Sequence, residues 1–472
     1  MLSTTRPSSS GNESPRSDIH IVSLDIGSSS VRTLLFDGEA RQVHGFGAQL
    51  AYRVTTTADG GVEADADELV ALAVQALSVL HGQMAEAGLR ATAVSFCTFW
   101  HSFLGVGADG KPVTAIIHLF DTRSASQVKR LAEMVDVTKT HPRTGTVLHA
   151  SYWPAKLMWL KATYPEAVAK AKFWMSPGEY LFLKLFGKAV NSTSMASGTG
   201  IWDQNRNEYD EEFIEILPVS EEQLAAPGEM DEPQTALLAD FARQWPGFNG
   251  IPWFPAFGDG ACNNIGSGCT TPDRFALMVG TSGAMRAVLE QESIEIPPGL
   301  WCYRVDRKRF VLGGALSNGG EVFAWMKRTL QLPGDDELEA ALGAMTPGAH
   351  GLTIVPLFAG ERSTKWRSDA RAAFAGMSMH TGPVDLVRAA LESVALRFRL
   401  IYLILRDRVG DPAEVVASGG ALLRSPVWTQ MMADALGRPI VTSCEAEASS
   451  RGAALLVLER IGAISHIREL PA

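Results

Sequence analysis

Residues 21–35 read IVSLDIGSSSVRTLL, and residues 275–289 read FALMVGTSGAMRAVL. Each is an apolar run suited to a buried strand, a glycine followed by small hydroxyl residues, and a returning apolar run. Aligned on Gly27 and Gly280, Ser28 meets Thr281 and Ser29 meets Ser282, while Asp25 meets Met278. A hairpin repeated at the start of each half predicts two duplicated domains facing one another. Successive backbone N–H groups in such a turn form a concave anion site, and Ser/Thr hydroxyls add donors. Glycine lets the anion approach closely. Gly27, Ser28, Ser29 and Ser30, with Gly280, Thr281 and Ser282, are therefore candidate phosphate contacts. Asp25 ends a buried strand, which is costly for a carboxylate unless it is paired or faces a cation; beside phosphate, Mg²⁺ is a natural partner. Taken singly, an ordinary Ser/Gly hairpin and a turn aspartate are the plainer readings.

The chain of 472 residues exceeds one ordinary core and fits two or three domains. A net charge of −10, without a local Lys/Arg cluster, disfavours nucleic acid and acidic membranes as partners. The five cysteines, Cys97, Cys262, Cys269, Cys302 and Cys444, form no CxxC pair, which points to reduced core thiols and away from a zinc site or disulfide frame. Residues 1–18 are polar, lack the apolar core of a secretory signal, and read as a disordered tail. No run of about 18 apolar residues suggests a membrane span, so a cytoplasmic location is expected.

Strands alternate with helices, which implies an α/β fold. Helices are expected over 65–88, 154–171, 176–187 and 383–407, and a strand over 91–99. Residues 414–437 read as strand, Gly-Gly turn and helix, with Ser425 and Pro426 at its start. The Gly/Pro-rich segment 251–268 reads as a hinge, giving domains over 19–265 and 266–472. GVGADG at 105–110 matches GxGxxG, but Asp109-Gly110 reads as a hairpin turn with no following helix, so a nucleotide role is not assigned there.

Other chemistry-bearing residues stand at turns. Asp259, between glycines, could accept a proton from a hydroxyl nucleophile. His101 and Ser102 follow a buried strand, where ligands of open α/β sheets bind. Asp121 and Arg123 could hold a hydroxyl-rich or anionic ligand. SGGALLRS at 418–425 could pass beneath a flat ring or a phosphate. Each also fits a purely structural use.

Together these stretches resemble the FGGY sugar kinases of the actin/Hsp70/hexokinase superfamily, from about residue 20 to 465. LDIGSSSVR resembles the family's D-x-G-T-[ST]-S-x-R opening, and FDTRS its W-x-D-x-R segment. RTGTVLHASYWPAKLMWL resembles T-G…K-x-x-W-[LI], at Thr144, Gly145, Lys156 and Trp159. NSTSMASGT, FGDGACNNIGSG, GTSG, GERST and ASGGALLRS resemble further family motifs in the same order. The resemblance implies two ribonuclease-H-like (actin-like ATPase) domains with a central cleft, ATP and Mg²⁺ between them, and phosphoryl transfer to a sugar or polyol hydroxyl. It casts Asp259 as general base and Asp25 on Mg²⁺ through water. Gly27–Ser30 with Arg32, and Gly280–Ser282, would line the phosphates; Gly419, Gly420 and Ala421 would lie by the adenosine.

CTFWHSFLGV and the T-G-x-x-x-H pattern ending at His149 resemble the gluconate-kinase branch. That implies D-gluconate as acceptor and 6-phosphogluconate as product, with His101, Ser102, Asp121, Arg123, His149 and Asp259 at the substrate; Lys156 is a further cation able to meet it. A ketopentose such as D-xylulose, or a polyol, is the alternative acceptor. An actin- or Hsp70-like ATPase without a sugar substrate is the alternative of another class. The sequence leaves a homodimer open.

Overall fold

The computed structural model describes residues 16–470. Residues 1–15 of the expected tail lie outside the described residues. Arg16–Asp18, its last part, form a short 3-10 turn instead, and Arg16 pairs with Glu469 at 3.0 Å.

The first sheet begins with the antiparallel meander β1 (His20–Ile26), β2 (Ser30–Asp37) and β3 (Gln42–Ala51). Helix α1 (Ala66–Glu86) follows; Asp65 caps it by accepting the N–H groups of Asp67 and Glu68. In length and composition α1 could cross a membrane, yet it packs on β2 and β3 through Leu69, Ala73, Leu77 and Leu80. It is a core helix with one apolar face. Strand β4 (Ala93–Thr98) then pairs parallel to β1.

The single helix expected over 154–171 is two, α2 (Trp153–Thr163) and α3 (Pro165–Lys170). Pro165 lacks the N–H and crowds the preceding turn, so the helix restarts there. Helix α4 (Pro177–Phe186) carries the Ser176–Glu179 capping box, with Ser176 N–H donating to Glu179 Oε2 at 2.7 Å.

The segment expected as a hinge, 251–268, is ordered structure: edge strand β5 (Phe257–Gly258), which completes the sheet order β5-β4-β1-β2-β3, and helix α5 (Asp259–Gly266). Glycines of this segment also serve packing. A Cβ on Gly266 would fall 1.8 Å from the Ala448 carbonyl oxygen, so the backbone opposite comes within contact.

The second sheet runs β8-β9-β7-β6-β10-β11, with β6 (Arg274–Val279), β7 (Gly283–Glu290), β8 (Trp301–Arg304), β9 (Arg309–Leu316), β10 (Glu414–Ser418) and β11 (Ile440–Thr442). β6 pairs antiparallel to β7 and parallel to β10, as β1 pairs to β2 and β4. The order β9-β7-β6-β10-β11 thus repeats β3-β2-β1-β4-β5, and the internal repeat read from the sequence is a repeat of topology. Helix α6 (Pro383–Val409) packs across this sheet. Helices α7 (Gly420–Leu423) and α8 (Pro426–Leu436) follow β10, and Ser425 caps α8 through the Trp428 N–H. The last helix, α9 (Ala448–Arg460), crosses back: Ala453–Leu458 join the first core, and Ser23 donates to the Ser450 carbonyl at 3.1 Å.

Candidate active site

The two repeated turns line one cavity, the first through Ser28 and the second through Ser282. Gly27 N–H donates to the Ser30 carbonyl at 2.9 Å, and Gly280 N–H to the Ser282 carbonyl at 2.9 Å. The Tyr52 hydroxyl donates to the Gly27 carbonyl at 2.7 Å, fixing the first turn from below while Ser28 and Ser29 stay exposed. Gly319 and Gly320 N–H groups hold the Thr281 and Gly280 carbonyls at 3.0 and 2.7 Å, fixing the second.

The second turn is a wall between two cavities. On one side, a cavity of about 740 Å³ is lined by Gly280, Thr281, Gly320, Gly420 and Ala421. Gly419 backs it: at φ +89° its missing Cβ would meet the Val279 carbonyl oxygen at 2.4 Å. On the other side, a cavity of about 220 Å³ is lined by Ser28, Trp100, His101, Asp259, Ser282, Arg286, Trp301 and Arg362.

Asp259 opens α5, its carboxylate accepting the Gly260 N–H at 2.7 Å. Burial, then the charge of Asp25, pushes its carboxyl up to about 6, against the pull of Arg286. Asp25 stands opposite Arg32 on β2 and beside Cys97 on β4. Burial raises its carboxyl too, and the Cys97 thiol donates to it at 3.3 Å. Among the described residues no group of three or more His, Cys, Asp or Glu could hold a metal ion unaided. A cation at Asp25 would draw its remaining ligands from phosphate and water, which suits Mg²⁺.

The residues expected at the acceptor divide sharply. His101 lines the smaller cavity in a left-handed conformation (φ 67°), its Nδ1 against the Gly198 carbonyl; burial pushes its imidazole down to about 3, so it is neutral. Lys156, fully buried, donates to the carbonyls of His101 (3.0 Å) and His118 (2.9 Å). Ser102 is turned inward, its hydroxyl accepting the Leu119 N–H at 2.9 Å.

Asp121 and Arg123 are not in the cavity wall. Arg123 is held by Asp121 (2.6 Å) and Glu63 (2.5 Å) and lies 4.3 Å over the Trp159 ring, so its guanidinium is already matched. His149 sits behind the wall, bonded to Ser151 at 3.0 Å and packed on Trp366; burial pushes it down to about 4. Arg32, expected at the phosphates, pairs with Glu447 at the start of α9.

Sequence reasoning passed over Arg286, Trp301 and Arg362. Arg286 is 8% exposed on β7, a cation inside a strand otherwise apolar from Gly283 to Leu289. That break in an apolar run is the signal that could have found it. Its Nε and Nη1 are buried without a hydrogen-bond partner, as are Trp301 Nε1 and Arg362 Nε.

The models of the N-terminal and C-terminal domains of the FGGY family of carbohydrate kinases match residues 20–266 and 275–458. The chain belongs to this family. A gluconokinase of Bacillus licheniformis is 28% identical over 462 residues, covering 94% of this chain and 88% of that protein. The crystal structure of gluconate kinase from Lactobacillus acidophilus superposes with a TM-score of 0.88 at 26% identity, covering 96% of this chain and 91% of that one. Ligand-bound xylulose kinase from the same organism matches with the same score and coverage at 25% identity. This carbohydrate kinase thus has the two-domain, actin-like architecture, and both turns lie within the matched regions.

Proposed function

We propose that this kinase transfers the γ-phosphoryl group of ATP to a hydroxyl of D-gluconate, giving 6-phosphogluconate. The observation that carries the acid part is charge. Among the residues lining the smaller cavity Asp259 is the one carboxylate, facing the guanidinium groups of Arg286 and Arg362. Such a cavity favours an acceptor that brings its own negative charge. The similarity to gluconokinases over nearly the whole chain supports the same reading.

In this reading ATP occupies the larger cavity with its adenosine by Gly420 and Ala421, and its phosphates reach the turns at Gly27–Ser30 and Gly280–Ser282. Asp259 accepts the proton of the acceptor hydroxyl as that oxygen bonds to the γ-phosphorus and ADP departs. A carboxyl near 6 is ionised at neutral pH yet basic enough for this role. Asp25 fits Mg²⁺, reached through water, and the ion would offset phosphate charge. The rest is positioning, which is most of what phosphoryl transfer asks of a protein.

Coupled ADP release over a panel of sugar acids, ketoses and polyols tests the proposal. D-gluconate should give the highest kcat/KM. A preference for D-xylulose or a polyol, or ATP turnover indifferent to any acceptor, would sink it.

A further inference from the structure

We infer that Arg286 is the residue that reads the acceptor's carboxylate, so that the acid end of the acceptor rests on the second half of the protein while its reacting hydroxyl faces Asp259 on the first. This rests on the sugar-acid reading above.

Four buried nitrogens on residues that line the acceptor cavity lack an acceptor: Arg286 Nε and Nη1, Trp301 Nε1 and Arg362 Nε. Leaving such groups unsatisfied is costly, more so when charged. All four are donors, so a ligand that satisfies them must bring acceptor oxygens. Among the described residues Arg286 forms no ion pair within 4 Å, in contrast to Arg123, whose fork is filled by Asp121 and Glu63. A planar guanidinium can match a carboxylate in two parallel hydrogen bonds, and Arg286 Nε and Nη1 have no protein partner to compete for them. The neighbouring Tyr303 hydroxyl is already bonded to that of Tyr152 at 2.6 Å.

Position separates this role from a phosphate contact. Arg286 lies four residues along β7 from Ser282, about 13 Å at strand rise. The backbone of Arg286 thus stands away from the turn, while its guanidinium reaches back beside Gly260 and Asp259, Nη2 coming 3.6 Å from where a Cβ on Gly260 would lie.

The test uses the full chain with ATP, comparing D-gluconate with D-glucitol, its neutral counterpart, by coupled ADP release, and measures binding of both by calorimetry. R286Q should lower the gluconate-to-glucitol ratio of kcat/KM at least about tenfold, mainly through a higher KM for gluconate. R286K keeps the charge without the fork and should fall between the two. Equal losses on both acceptors, or an unchanged ratio, would overturn the inference. If R286Q does not fold, R286K carries the same comparison, its folding checked by thermal melting and ATP binding. A wild-type enzyme that ignores gluconate but takes another sugar acid, with the same Arg286 dependence, would overturn the gluconate reading and uphold Arg286. A wild-type preference for neutral acceptors would overturn both.

Discussion

Gly258 lies against the indole of Trp100 so closely that a Cβ on it would come 1.9 Å from Trp100 Cε2. The indole is fixed from other sides as well: its N–H donates to the Ser194 carbonyl at 2.9 Å, and a Cβ on Gly198 would come 2.5 Å from Trp100 Cδ1. Trp100 therefore wedges the backbone that delivers Asp259. Gly258→Ala must displace either the ring or the start of α5. It should lower the unfolding free energy by about 1–3 kcal/mol and cut kcat more than tenfold by moving the neighbouring base. Thermal melting and steady-state kinetics check both; an equally stable and active variant would show that the ring yields freely.

Asp259→Asn should reduce kcat by roughly 10²–10⁴ if the residue is the general base, with ATP binding retained in calorimetry. In the wild type, kcat/KM for the acceptor should rise with pH through about 6. Stability moves the other way. Between the ordinary aspartate range and pH 6 the unfolded chain has lost this proton while the folded protein keeps it. The folded state binds more protons there, so its stability falls as pH rises. Asparagine removes that cost. The variant should be more stable than wild type above pH 6, by about 1–3 kcal/mol, and the gain should vanish in melts near pH 4.

Lys156 ties the loop of His101 to that of His118 through one ammonium group. Lys156→Met should raise the KM for the acceptor about tenfold or more while the KM for ATP changes little. Loss of ATP affinity of the same size would show a general disruption instead.

Arg123→Gln leaves Asp121, whose side chain is fully buried, and Glu63 without their cation. Unfolding free energy should drop by about 3–5 kcal/mol, as for other broken buried pairs. Discrimination between gluconate and glucitol should not change, in contrast to Arg286. A selective loss of gluconate would return the carboxylate to Arg123.

Much of this was legible from local pattern. The hairpins around Gly27 and Gly280 have a short turn between apolar runs, and adjacent strands need no distant information to pair. Ser425 caps its helix as expected from the sequence, and Asp65 and Ser176 cap two others. The helix at 154–171 broke at a proline visible in the sequence. The glycines of 251–268 are open to two readings, because glycine permits both a flexible link and a close backbone contact, and only the partner shows the second. Here the partner is the backbone at Ala448, nearly two hundred residues away.

The sequence by itself determined the repeated α/β halves, their family, and the turns with Asp25 and Asp259, because strand periodicity, turn chemistry and motif order are local or sequential properties. Only the tertiary structure decided which cations are free. Arg123 and Arg286 are alike as residues, but one is ion-paired with two carboxylates and the other is buried with its Nε and Nη1 unpartnered, across the cavity from the one carboxylate that lines it. A guanidinium's availability depends on what surrounds it in space, and that is fixed when Glu63, Asp121 and Arg123 are folded together and β7 is laid along the cleft.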